Sequence, residues 1–261
     1  MKNKKIKITL LNFELSPSLF LPIMQEILIK QGYECDYIYV PIPLNGFSHE
    51  EFTIIIRELK DKCRFSGLIG ISCMTNTFVW FTTIAKELKS LNIPIVVGGI
   101  HPTVKPEESL NHADYVCIGE GEEALVELAD RIDKKKRTDN IKNIYLKKNG
   151  EIIKNSLRPI IKDLNKLPLP GFRLNKIWMY HDKKIVSLEE RKDIIKTFYK
   201  NHYYIMSSRG CPYRCGYCLN DCLIKVHKDF LTRFEDIDGE MFEFFNAKMA
   251  KNKLKPHGNR K

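Results

Sequence analysis

Short apolar runs alternate along this chain with longer segments whose apolar positions recur at helical spacing. An apolar strand is predicted over 6–12 and a helix over 18–31, stopped at Gly32. The unit then repeats. Strands are expected over Cys35 to Val40, Gly67 to Ser72, Ile95 to Gly98 and Tyr115 to Ile118, and helices over His49 to Lys62, Thr77 to Ser90 and Glu122 to Ile132.

Strands that alternate with helices and are apolar on both faces imply an α/β fold, a Rossmann-like doubly wound parallel sheet with helices on each side. Ligands of such sheets bind beyond the carboxyl ends of the strands. Three loops converge there: Ser72 to Thr75, Gly98 to Thr103 and Gly119 to Glu122. Glycine permits positive φ and lets a ligand approach the backbone. Tight-turn chemistry explains a lone Gly-Gly pair as well, but three such loops on one rim point to a ligand.

Beyond residue 135 the pattern changes. Residues 134–140 are polar and basic, and Asn149-Gly150 between alternating segments is a hairpin signal. Leu167 to Phe172, with two prolines, reads as an extended connection. Tyr203 to Ser207 is expected to be the first strand of a second domain, Asp236 to Met249 an amphipathic helix, and Lys251 onward a basic end. The expected division is 1–135 for the sheet domain, 136–200 for a linker with a β-hairpin, and 201–261 for the opening of the second domain.

The chemistry concentrates at Cys211, Cys215 and Cys218. Three thiolates at this spacing can hold three corners of an iron–sulfur cube and leave the fourth iron open to chelate a ligand. With Cys222 the run could instead form a closed four-thiolate zinc site, or the thiols could be structural and bind no metal. Cys35, Cys63, Cys73 and Cys117 lie on or beside strands and read as buried thiols. Eight dispersed cysteines fit a reducing cytoplasm.

The segment Ser208-Arg209-Gly210-Cys211-Pro212-Tyr213-Arg214-Cys215-Gly216-Tyr217-Cys218 resembles the cluster-binding loop of radical S-adenosylmethionine (radical SAM) enzymes. The resemblance implies a four-iron, four-sulfur cluster on the three cysteines, S-adenosylmethionine on the open iron, a 5′-deoxyadenosyl radical, and Tyr217 beside the adenine. It also implies that the second domain is a partial (β/α) barrel. Forty-three residues follow Cys218, whereas a full barrel takes about 250, so a truncated barrel is expected.

Val97 to Thr103 followed by Asp114 to Glu123 resembles the cobalamin-binding domain of a large radical SAM subfamily. The implied cofactor contacts are Ser72, Thr75, Gly98, Gly99, His101, Pro102, Thr103, Gly119, Glu120 and Gly121. Cobalamin-dependent mutases ligate cobalt through a histidine in the loop after the first strand, but Asn12 to Ser18 contains none. The resemblance therefore implies a cobalt without a lower histidine ligand, which favours methyl transfer. His101, beside Pro102, reads as a loop-shaping or cofactor-edge residue.

Net charge is +11, from 43 basic and 32 acidic residues. The lysines are dispersed apart from Lys134 to Arg137 and the carboxyl end, which describes a solvated surface, and no nucleic-acid partner is expected. No apolar run approaches the roughly 18 residues of a membrane span, and the amino-terminal run is broken by Asn12 and Glu14 with no cleavage site after it. A cytoplasmic protein is expected, with a small-molecule substrate and a flavodoxin- or ferredoxin-type reductant. The leading reading is a cobalamin-binding radical SAM protein with methyl-transfer or related radical chemistry. The alternatives are a non-catalytic cobalamin-binding module and a methylthiotransferase-like enzyme acting on transfer RNA.

Overall fold

β1 (Lys7–Asn12) is buried along nearly its whole length, because its apolar side chains alternate between two separate cores. The computed structural model describes residues 4–14, 18, 20–43, 45–171, 173–199, 208–210, 215, 218, 222, 223, 226 and 231–233. β1 pairs in parallel with β2 (Glu34–Tyr39) on one side and β3 (Leu68–Ser72) on the other. Beyond β3 come β4 (Ile95–Gly98) and β5 (Tyr115–Cys117), also parallel.

Two hairpins extend this sheet. β6 (Ile144–Lys148) and β7 (Glu151–Lys154) add antiparallel strands beyond β5. β8 (Ile177–His181) pairs in parallel with β2, and β9 (Lys184–Ser187) returns along it. The resulting order is β7-β6-β5-β4-β3-β1-β2-β8-β9. Residues 144–187 thus contribute four of nine strands. Arg173 ties this region to α1 (Phe20–Lys30) through a two-point ion pair with the buried Glu26, at 2.5 and 3.1 Å.

Helices cover both faces. α2 (His49–Cys63) and α3 (Phe78–Leu88) bury Ile55, Leu59, Phe81 and Ile84 against Leu11, Ile69 and Val97. α1 and α6 (Glu122–Asp133) bury Leu28, Leu125 and Leu128 against Ile8, Leu10 and Val96. The sequence dictates this arrangement, since side chains alternate across a strand and each run offers apolar residues to both sides.

The loop expected over 98–103 is instead helical from Ile100, as α4 (Ile100–Val104), with α5 (Pro106–Ser109) after it. Pro102 falls in the first turn of α4, where its missing N–H removes no helical hydrogen bond. α7 (Lys192–Tyr199) follows the second hairpin. β10 (Ser208–Gly210) pairs antiparallel with β11 (Leu231–Arg233) in a separate two-stranded unit. The expected strand over Tyr203 to Ser207, the expected helix over Asp236 to Met249 and the rest of the expected barrel lie outside the described residues. Among the described residues no helix is long and apolar enough to cross a membrane.

Candidate functional site

The chain leaves β1 for β2 on one side and later enters β3 on the other, so the strand order reverses between β1 and β3. In an open parallel sheet this reversal opens a crevice at the carboxyl ends of the two strands, where ligands bind. Asn12 and Ser72, the last residues of the two strands, are register partners there. Asn12 is fully buried, and its amide oxygen has no hydrogen-bond partner. Its amide nitrogen faces the Glu14 carboxylate, whose pKa is raised by burial and partly pulled back by the hydrogen bond from this carboxamide. An unpartnered buried carbonyl oxygen is costly unless a ligand completes it.

The β4 loop is shaped by close backbone contact. Gly99 sits at φ 107° and ψ −166°, and a Cβ there would stand 2.7 Å from the Cys73 carbonyl oxygen. Only glycine takes this conformation readily. Gly98 accepts from the Cys73 N–H at 2.9 Å, which joins the β3 and β4 loops. Thr103 joins the β4 and β5 loops: its hydroxyl donates to the Gly99 carbonyl at 2.8 Å and accepts from the Gly119 N–H at 3.0 Å. Gly119 has φ 70°, and a Cβ on Gly121 would touch the Cys117 sulfur and Met24 at 3.4 Å.

His101 and Pro102 are buried within α4. The imidazole stacks on Phe78, with centroids 3.9 Å apart, and its Nδ1 lies 3.4 Å from the Thr75 hydroxyl. Its Nε2 is 3.7 Å from a Glu108 carboxylate oxygen. Burial lowers its pKa, against a smaller upward pull from Glu108. This ring is thus packed between α3, the β3 loop and α5. Thr75 and Gly99 are exposed, while Ser72, Gly98, Gly119 and Gly121 are half-buried.

Sequence reasoning missed one part of the rim. Arg209 reaches from β10 to the β5 loop, with Nη1 3.0 Å from Glu120 and Nη2 2.5 Å from Glu122. The other oxygen of Glu120 accepts from the Ile161 N–H at 2.6 Å. Asn12 was also missed as a site residue, because nothing in its sequence surroundings marks its amide oxygen as buried without a partner.

Of the sequence-predicted cluster ligands, Cys215 and Cys218 are half-buried, and the Cys218 N–H donates to the Cys215 carbonyl at 2.9 Å. Cys222 is exposed. Cys211 and Tyr217 lie outside the described residues. Among the described residues no group of three or more His, Cys, Asp and Glu side chains could hold a metal. Cys35, Cys63, Cys73 and Cys117 are all buried, and burial pushes the last three thiols up to about 12.

The rim's exposed glycine backbone, the Thr75 hydroxyl and the unpartnered Asn12 amide oxygen fit a large polar cofactor lying across the strand ends. Residues 17–129 match the B12 binding domain family. The chain is 29% identical over 156 residues to an uncharacterised methyltransferase of Pyrococcus horikoshii, covering 58% of this chain and 31% of that protein. The matched part is thus about a third of that relative's length. Its fold is shared with the cobalamin-dependent S-adenosylmethionine radical enzyme OxsB solved with aqua-cobalamin, with a TM-score of 0.69 and 18% identity over 97% of this chain and 33% of that one. It is shared also with the radical S-adenosylmethionine methyltransferase TsrM of Kitasatospora setae, solved with cobalamin and a [4Fe-4S] cluster, with a TM-score of 0.64 and 17% identity over 95% of this chain and 48% of that one. Residues 17–129 thus match the B12 binding domain family on a parallel-dominated α/β sheet, and the fold is one that cobalamin-dependent radical SAM enzymes share.

Proposed function

We propose that the crevice between β1 and β3 holds cobalamin, and that residues 201–261 bring a four-iron, four-sulfur cluster on Cys211, Cys215 and Cys218, together with S-adenosylmethionine, to the same rim. The observation that supports this most directly is a coincidence of position. The B12-binding match over 17–129 contains the β3, β4 and β5 loops, at which Ser72, Gly98, Gly99 and Gly119 gather beside the switch point.

In this reading Ser72, Thr75, Gly98, Gly99, Gly119 and Gly121 face the cofactor with hydroxyl and backbone groups. His101, Pro102, Thr103 and Glu120 hold the loops in shape. Bound cobalamin supplies a cobalt that can carry a methyl group, and the cluster with S-adenosylmethionine supplies the sulfonium and the electron that cleaves it. The residues over 12–18 include no histidine, and His101 is buried in α4 with its ring stacked on Phe78. A cobalt that took no histidine from this chain would favour methyl transfer onto a small-molecule substrate. A flavodoxin- or ferredoxin-type protein would deliver the electron.

The test has two arms. The protein is incubated with hydroxocobalamin, desalted and read by its visible spectrum. It is then reconstituted anaerobically with iron and sulfide and assayed for 5′-deoxyadenosine and for methyl loss from S-adenosylmethionine. Retention of cobalamin, lost in Gly99→Val and kept in Cys215→Ala, is expected, as is iron loading lost in Cys215→Ala. No retention would sink the first part, and iron loading that survives Cys215→Ala would sink the second. A loaded cluster with no turnover would leave a cobalamin-binding module.

A further inference from the structure

Arg209 is 7% exposed and stands two residues before Cys211 in the chain. Its guanidinium is shared between Glu120 and Glu122, and its carbon lies 4.9 Å from the centre of the Phe20 ring on α1. Glu122 is 5% exposed and opens α6, whose amino-terminal field favours the second negative charge. Glu120 is fixed a second time by the Ile161 N–H. A buried ion pair of this kind adds little net stability over an apolar packing, but removing one partner is expensive because the other charge stays buried. Its physical effect is to specify position.

The position specified is functional. Glu120 and Glu122 flank Gly121 in the β5 loop, one of the three loops of the rim. Arg209 stands at the chain's entry to the cysteine motif, one residue before the end of β10. We infer that Arg209 is a positioning residue that anchors the start of the cysteine loop to the β5 loop, and so fixes the cluster's distance from the cobalamin rim. This rests on the reading of the function given above.

The experiment compares wild type with Arg209→Gln, Glu122→Gln and the double variant, and uses Arg209→Lys if Arg209→Gln does not fold. Amide exchange is followed first in the unloaded protein. The amides of 119–122 and 161 should exchange faster in Arg209→Gln, by about tenfold or more, with little further change in the double variant. Unchanged protection, or additive effects, would overturn the anchor. The second readout is electron paramagnetic resonance of protein loaded with a reduced cluster and cob(II)alamin. Wild type should show spin coupling between the two centres. Arg209→Gln should bind both at wild-type stoichiometry with that coupling reduced or lost, which a general loss of stability would not produce. Coupling that persists unchanged would overturn the positioning role. If wild type binds no cobalamin or iron, the proposed function fails, while the exchange measurement still decides whether Arg209 anchors the β5 loop.

Discussion

Thr103 and Gly119 are 16 residues apart in sequence and are joined by a 3.0 Å hydrogen bond from the glycine N–H to the threonine hydroxyl, which in turn donates to Gly99. One side chain thus sets the spacing of two rim loops. Thr103→Val keeps the shape but leaves the Gly119 N–H without its partner, which costs about 1–3 kcal/mol when the group stays buried. Urea denaturation should show a lowered midpoint, and cobalamin retention should fall. Thr103→Ser should restore both, and equal behaviour of the valine and serine variants would remove the hydroxyl from the argument.

The glycines of the chain are not equivalent, and Gly99 and Gly32 separate two effects. Gly32 has φ 86° with nothing within 4 Å of a Cβ, so Gly32→Ala carries only the left-handed penalty of about 1–2 kcal/mol. Gly99→Ala adds a Cβ at 2.7 Å from a backbone oxygen that cannot yield without moving the β3 loop. Urea midpoints should therefore fall in the order wild type, Gly32→Ala, Gly99→Ala. Equal midpoints for the two variants would mean that the β3 loop gives way freely.

Much of the amino-terminal sheet was legible because period-2 and period-3.6 patterns both mark buried faces. The strand at Ile95 to Gly98 and the helix starts at His49 and Glu122 fall where the pattern places them. The hairpin at Asn149-Gly150 was visible from its turn residues, and both have positive φ. The hairpin of β8 and β9 was not visible, although it turns through the same left-handed pair of residues. It uses Asp182 and Lys183, at φ 49° and 64°, and no glycine signals them. Its joining to β2 is a tertiary event that local pattern does not encode. The glycine loops could be found from their motifs, whereas the pairing of Arg209 with Glu122, 87 residues apart, is a tertiary contact that local pattern does not encode.

The thiols offer a direct measure of burial. Cys35, Cys63, Cys73 and Cys117 are buried and their pKa values lie well above the ordinary thiol range, chiefly through desolvation. The thiolate is the reactive form. With Ellman's reagent at pH 8, metal-free native protein should react quickly at Cys215, Cys218 and Cys222, and at Cys35, Cys63, Cys73 and Cys117 only on denaturation. Peptide mapping of the labelled sites decides this. Fast labelling of Cys73 or Cys117 would contradict the packing of the rim's inner wall.

Acid should destabilise the domain before its carboxylates titrate. Burial lowers the pKa of His101 and of His112, whose ring stands edge-on to Phe78 and Phe81. For His101, Lys105 lowers it further and Glu108 opposes, while His112 feels Lys89 and Lys147 against Glu108. Both rings are neutral when folded at pH values where the unfolded chain already takes up protons. Their contribution is therefore fully present above about pH 6.5 and is lost as pH falls through 6.5 toward the depressed folded values. Urea midpoints measured from pH 8 to pH 5 should decline over this window. His101→Phe, which keeps an aromatic ring against Phe78, should flatten the part of the decline that belongs to His101. A variant with the wild-type slope would show that the His101 imidazole gains its proton on folding as easily as in water.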